Sequence, residues 1–406
     1  DIPNPNHFAL NGTTGGPISI LNNNVLDNSD FMTGAFPAEY GNALAGVFDL
    51  KLKNGNNEKH EFLSQIGFNG LELTAEGPIN KKKYSSYIAS YRYSTLGLFK
   101  KMGLDFGAGT AVPGYQDGMF KLNFPNKKGR TVLWAVGGVS DASFLDSEQE
   151  GEENLFTDSG EDIVFKSRIG VISLSNTYRF NDKAFLKTSF AVDATANDII
   201  NDTLNAATGN YNPYYRNNSF EGKQSFNIIF NQKINARNVL KVGVYNQRKF
   251  FHLQDSIHQR LDSVFNPFSN SYAIIQPQWR QLTNYDGATY FIQPFVQWQF
   301  RVNEDVTLNT GIHSQYFIYN NTFAVEPRLG VKYKLNVKNT ISAAYGLHNQ
   351  LPPSRLFFRE QTDVYGNTVF DDKGDAVIPN KDLKMVRSQH FVVAYDRSLG
   401  KHSRLK

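Results

Sequence analysis

The sequence predicts an all-β membrane protein, built as an antiparallel transmembrane β-barrel. Three observations carry this reading. Long stretches alternate between an apolar or aromatic face and a small, polar or charged one. Short polar connections recur at one end of these stretches, and mostly long ones at the other. The composition pairs only 40% hydrophobic residues with 14% aromatics and a mean hydropathy of −0.43, a mixture that suits a sheet wet on one face and greasy on the other.

The same numbers exclude other classes. A chain of 406 residues with a net charge of +4 has too little positive charge for a nucleic-acid partner. The absence of cysteine removes disulfide scaffolds and thiolate metal sites. No apolar run approaches the roughly 18 residues of a membrane helix, whereas a membrane barrel leaves only a weak signal in each strand.

In chain order, Val25–Lys53 reads first as strand, tight turn, glycine-rich corner and strand. Gly34, Gly41 and Gly46 fall where a compact backbone needs positive φ or close approach. From Glu61 onward the period is two. Ser86, Ile88, Ser90, Arg92 and Ser94 alternate with Tyr87, Ala89, Tyr91 and Tyr93. Tyr290, Ile292, Val296, Trp298 and Phe300 face away from Gln293, Gln297, Gln299 and Arg301. Arg328, Gly330, Lys332 and Lys334 alternate with Leu329, Val331, Tyr333 and Leu335, and Ser342, Ala344, Gly346 and His348 with Ile341, Ala343, Tyr345 and Leu347. Such lengths fit strands crossing a bilayer at a tilt better than the strands of a globular sheet.

The short connections are Asn80–Lys83, Asn126–Gly129, Asn181–Lys183, Asn235–Asn238, Asn303–Asp305, Asn336–Asn339 and Gly400–His402. Gly97–Pro113, Leu145–Asp162, Asn201–Asn212, His258–Asn284 and Pro352–Lys381 are long, and those near Asn69-Gly70 and Asn320-Asn321 are short. Tight turns at one end and mostly long loops at the other are the asymmetry of an outer-membrane barrel. Tyr84, Phe124, Tyr178, Phe180, Phe185, Trp298, Phe300 and Tyr333 bracket the tight turns as an interfacial girdle. A soluble β-sandwich or propeller explains alternation but predicts shorter strands and no sidedness of loops. The segments number about 14, and the last is still running at Lys406, so further strands are expected to follow.

Gly34-Ala35-Phe36-Pro37-Ala38-Glu39-Tyr40-Gly41-Asn42-Ala43, followed by Gly46-Val47-Phe48-Asp49-Leu50-Lys51-Leu52-Lys53, resembles the C-terminal half of the plug domain of TonB-dependent outer-membrane receptors. Asp1-Ile2-Pro3 resembles a late-plug strand end. Leu73–Ile79 resembles the start of the barrel, and Glu326-Pro327-Arg328-Leu329-Gly330 and Lys381-Asp382-Leu383-Lys384 resemble recurrent barrel motifs. The resemblance implies a barrel of about 22 strands with an α+β plug in its lumen. Residues 1–55 would be the C-terminal part of the plug, and 56–406 the first part of the barrel. It further implies residence in the outer membrane among its lipids. The implied activity is import of a scarce substrate, such as an iron chelate, cobalamin, an oligosaccharide or a peptide, energised by the inner-membrane TonB complex through a segment upstream of this chain. No cofactor and no resident metal are implied.

In that family apical plug loops touch substrate, which nominates Asn6, His7 and Phe8. Tyr214, Tyr215 and Trp279 are nominated as aromatic platforms in long loops. Glu326 and Arg328 share the lumen-facing parity. Family members set barrel acids against plug arginines there, yet residues 1–53 contain no Arg. A plain ion pair along or across strands is the competing role. Gly34, Glu39, Tyr40, Gly41 and Gly46 carry the plug motif. The acidic run from Asp146 to Asp162 offers ligands for a hard cation, but in no EF-hand spacing. Nucleophile-elbow, zinc-protease and phosphate-loop motifs are lacking, so no enzyme is expected. The alternatives to an energised importer are a passive outer-membrane porin or surface-binding barrel, and a soluble β-rich binding module.

Overall fold

The computed structural model describes residues 2, 4–10, 15–67, 70–95, 113–148, 160–259, 262–266, 270–275, 277–363, 365–399 and 403–405. Four short strands open the chain. They are β1 (Asn6–His7), β2 (Ile18–Ser19), β3 (Asp30–Thr33) and β4 (Gly46–Asp49), paired as two antiparallel ribbons. One continuous sheet follows: β5 (Glu61–Gly67), β6 (Gly70–Asn80), β7 (Ser85–Tyr93), β8 (Gly114–Asn126), β9 (Gly129–Leu145), β10 (Glu161–Asn181), β11 (Ala184–Asn205), β12 (Asn210–Lys233) and β13 (Asn238–Gln259). A small hairpin, β14 (Asp262–Asn266) with β15 (Ser271–Ile275), interrupts it. The sheet resumes with β16 (Gln278–Arg301), β17 (Val306–Phe317), β18 (Thr322–Lys334), β19 (Asn339–Gln350), β20 (Val386–Ser398) and the two-residue β21 (Arg404–Leu405). All 15 of these strands lie in sequential antiparallel order, with β13 beside β16. Among the described residues no helix is long and apolar enough to cross a membrane.

The tight turns share one device. Asn126, Asn181, Asn235, Asn303 and Asn336 each turn a side-chain oxygen onto the amide of the second residue after them. Asn80 caps Lys83 N in the same manner. An Asn that mimics a backbone turn reverses the chain locally, and this fixes the register of each hairpin.

The sheet must curl. Asn24 Nδ2 donates to Gln65 Oε1 on β5 at 2.6 Å, and Ala35 N to His390 Nδ1 on β20 at 3.3 Å. These anchors are 11 residues apart, a reach of at most about 40 Å. In a flat sheet β5 and β20 would lie roughly 60 Å apart. The N-terminal segment therefore sits inside the curvature, in a lumen.

The two faces of the sheet are inverted relative to a soluble protein. On β18, Glu326 and Arg328 are buried, whereas Phe323, Val325 and Leu329 are about half exposed. On β16, Gln293 is buried and Tyr290, Val296 and Trp298 are exposed. A polar interior with an apolar exterior is stable where hydrocarbon covers the outside.

Two strand ends differ from expectation. The predicted loops 201–212 and 258–284 are largely strand, because β11, β12, β13 and β16 continue well past the apolar band. Polar and turn-type residues such as those at 201–205 and 278–281 dominate these extensions, so a strand there leaves no amphipathic alternation to read. Gly97–Val112, Glu150, Glu152, Glu153 and Asp158 of the acidic run, and Asn69 lie outside the described residues.

Candidate functional site

The site is the seam where residues 34–42 meet the walls of β13 and β16–β20. The turn is built by backbone first. Gly34, Ala35 and Asn42 have φ of 64°, 41° and 52°, and Gly pays least for that conformation. At Gly41 the need is proximity, since a Cβ there would overlap the His313 ring and Gln293 Oε1.

Arg328 is the hub. Its Nη1 donates to the carbonyls of Phe36, Pro37 and Tyr40 at 3.1, 2.5 and 2.5 Å. Its Nη2 meets Glu326 Oε2 at 2.5 Å, and its guanidinium lies over the Phe36 ring at 4.7 Å. Glu326, fully buried, accepts through Oε1 from Gln315 Nε2, Asn349 N and Asn349 Nδ2. The resemblance sets a plug arginine opposite a barrel acid, but residues 1–53 contain no Arg, and the partner of Glu326 is two residues away on its own strand. Here the arginine comes from the barrel strand, and it reads main-chain carbonyls.

Further contacts surround this hub. Ala38 O is hydrogen-bonded to His313 Nδ1 at 2.8 Å, Glu39 pairs with Lys241 Nζ at 2.7 Å, and Leu351 N donates to Asn42 Oδ1 at 2.8 Å. Burial, reinforced by Glu39 and Asp49, pushes the Tyr40 phenol well above its ordinary value. Gly46 opens β4, opposite Thr33. Arg328 Nε, Gln315 Oε1 and both ring nitrogens of His348 have no hydrogen-bond partner among the described residues.

The other nominated residues fall elsewhere. His7 is 1% exposed, and its Nε2 lies 2.9 Å from Asp117 Oδ2, itself paired with Arg92. Phe8 N donates to Ser140 Oγ, and Asn6 Nδ2 to Asn4 Oδ1. His7 through its side chain and Phe8 through its main chain thus belong to the first anchorage of the segment, on β8 and β9, and Asn6 bonds within the segment. Tyr215 hydrogen-bonds Asp255, on the face that carries Leu253. Tyr214 falls at the bulge between β11 and β12. Trp279 stands on the outer wall beside His258 and the Arg216 guanidinium, so the three aromatics do not share one platform. A shallow cavity of about 560 Å³, lined by Lys166, Arg168, Asp198, Arg216 and Gln254, is also on that outer wall and away from the seam.

One lumen feature escaped sequence reasoning. After β19 the chain folds inward through a helical turn, Ser354–Phe357. Phe357 and Phe358 are buried against Phe251, Phe291, Phe317 and Leu351, and Phe358 stacks on Tyr285 at 3.7 Å. The Phe-Phe pair was the one available signal, an apolar doublet inside a polar loop.

Similarity to solved structures agrees with this geometry. The siderophore receptor PiuA from Acinetobacter baumannii superposes at a TM-score of 0.62 with 9% identity, over 92% of this chain and 60% of that one. The fold is that of the TonB-dependent outer-membrane receptors. FpvA of P. aeruginosa, solved with a heterologous pyoverdine, gives 0.62 with 13% identity, over 96% and 52% of the two chains. The copper transporter OprC gives 0.61 with 12% identity, over 95% and 59%. This chain therefore spans about half to three fifths of the receptor chains it matches. No protein-family model matches the sequence, and no curated protein does. Residues 34–42 thus lie in the segment inside the curved sheet, and Arg328 on its strand β18.

Proposed function

We propose that the chain belongs to an outer-membrane receptor that captures a scarce substrate outside the cell and imports it with energy from the TonB complex. Residues 1–55 serve as the C-terminal part of the plug, and 56–406 as barrel. The observation that carries this reading is the occupied lumen. An N-terminal segment occupies it, held by Arg328 through three carbonyls, by His313 and Lys241, and by Leu351 N on Asn42. A passive porin has no use for such a filling. A polar seam can be opened and re-formed, because water replaces the bonds that break.

The named cargoes of the similar structures, siderophores and copper, make a metal chelate the first substrate class to test. The experiment deletes the full-length gene in its host and scores growth on limiting iron chelate, copper, cobalamin or glycan, beside a TonB-deficient control. The importer reading expects one nutrient to fail in both strains. A nutrient defect that appears only in the deletion strain, with TonB dispensable, overturns energised import and moves the passive barrel to first place.

A further inference from the structure

The two ends of the sheet carry opposite charge. In the six tight-turn segments 80–84, 126–130, 179–184, 233–238, 301–306 and 332–339, fourteen Lys and Arg face three Asp and Glu. In the connections at the other end, 94–113, 141–162, 198–216, 254–284 and 351–385, ten Lys and Arg face twenty Asp and Glu. The net charge of +4 conceals this axial separation.

The cations of the turn rim are unspent. All fourteen are exposed, and among the described residues none is in an ion pair. They are interleaved with the exposed aromatics Tyr84, Phe180, Trp298 and Tyr333. Lys128 shows the arrangement in detail. Its Nζ donates to Tyr178 Oη at 3.0 Å and sits 5.4 Å from the ring centroid. Aromatic rings settle at the level of lipid headgroups, and Lys and Arg above them meet the phosphates.

We infer that the tight-turn rim is a binding surface for anionic phospholipid headgroups of the leaflet it borders. The inference rests on the reading of the apolar outer face as lipid-facing. Charge complementarity selects the occupant. The positive groups are spread over six successive turns and lie beside the apolar band, where a continuous lipid layer reaches all of them. A single acidic protein would be matched by one compact patch.

The test uses the detergent-purified full-length protein, exposed to equal amounts of phosphatidylglycerol and phosphatidylcholine, with retained lipid counted by native mass spectrometry. Wild type is expected to retain phosphatidylglycerol preferentially, and raising the salt is expected to weaken the preference. In the variant K81Q/K82Q/K83Q/K127Q/K128Q/R130Q the preference is expected to fall by about tenfold. The heat-modifiable gel mobility of the folded barrel should stay unchanged, because these side chains are in the turns. Equal retention of the two lipids by wild type overturns the inference and leaves the membrane-barrel reading intact. So does an undiminished preference in the variant. Inorganic phosphate at millimolar concentration should not displace the lipid, and displacement would assign the rim to free phosphate instead. Tighter binding of soluble polyglutamate than of phosphatidylglycerol would assign it to an acidic protein and overturn the lipid reading.

Discussion

The N-terminal segment in the lumen is anchored to the sheet in two places, and the two are built differently. Near its start, Ile20 and Val25 pack with Ile88, Met119, Val136, Ile169 and Val171 into a dry cluster on β7–β10. Beside that cluster His7, Asp117 and Arg92 close a buried charged group, and Arg92 also donates to Ser19 O. At residues 34–42 the contact is mixed, with Phe36 and Ala38 buried, Phe36 between the His348 ring and the Arg328 guanidinium, and a dense set of hydrogen bonds around them. Its donors are barrel side chains, its main acceptors are backbone carbonyls, and several buried polar atoms remain unmatched. Separating the first anchorage exposes apolar surface to the water of the lumen, at about 25 cal/mol per Å². Separating the second exposes only Phe36 and Ala38 and otherwise exchanges hydrogen bonds for water, at a net cost of about 1–3 kcal/mol each. On the importer reading proposed above, the difference predicts that the segment parts from the wall first at the 34–42 clamp, and last at the Ile20–Val25 cluster.

The largest effect is expected at Glu326. Glu326→Ala strands the buried Arg328 without its carboxylate and costs about 3–5 kcal/mol. Antibiotics too large for a closed barrel should then enter the cells that carry the variant, while surface binding of substrate persists. Unchanged permeability would remove Arg328 and Glu326 from the clamp. Ile20→Ala leaves a cavity in the dry cluster and should cost about 2–5 kcal/mol. It should show as a lower Tm with little leakage, since the releasable end is untouched. Leakage equal to that of Glu326→Ala would erase the distinction between the two anchorages.

Phe358→Ala removes the ring stacked on Tyr285 and should cost about 3 kcal/mol. It reports on a third contact, the inward loop after β19, and limited proteolysis within residues 351–385 is the readout. If cleavage stays at the wild-type rate, the loop is held by something other than the Phe doublet. Glu39→Gln is the smallest change. Its pair with Lys241 is partly exposed, so a loss under about 1 kcal/mol is expected, with import near normal.

Much of this was legible in the sequence, and the limits have physical causes. Alternation across Ser86–Ser94 and Arg328–Lys334 revealed which face is the lumen, because hydrocarbon and water impose opposite chemistry on the two sides. The Asn-led turns were legible because one side chain suffices to reverse the chain. The full length of β11–β13 was not, since the polar residues beyond the apolar band carry no alternation. Glu326 and Arg328 were legible as lumen residues by parity, but what Arg328 holds was not. A carbonyl belongs to every residue and leaves no mark in the sequence. His7 shows a limit of another kind. A polar loop residue near the segment's start resembles a ligand contact until the fold supplies Asp117, which is 110 positions away.

The most direct test of the releasable clamp is a tether. Ala38→Cys with Gly311→Cys places two thiols in a chain that has no cysteine. A Cβ at position 311 would lie 2.7 Å from that of Ala38 and 2.6 Å from Val296 O, so the backbone must give by about 1 Å to reach disulfide spacing, and the Gly311→Cys single variant controls for that strain. Uptake of the nutrient identified by the deletion strain is then measured in oxidised and reduced cells. Oxidised cells should bind substrate but fail to import it, and reductant should restore uptake. Equal uptake in both states would contradict the account, because residues 34–42 would then stay on the wall while substrate passes.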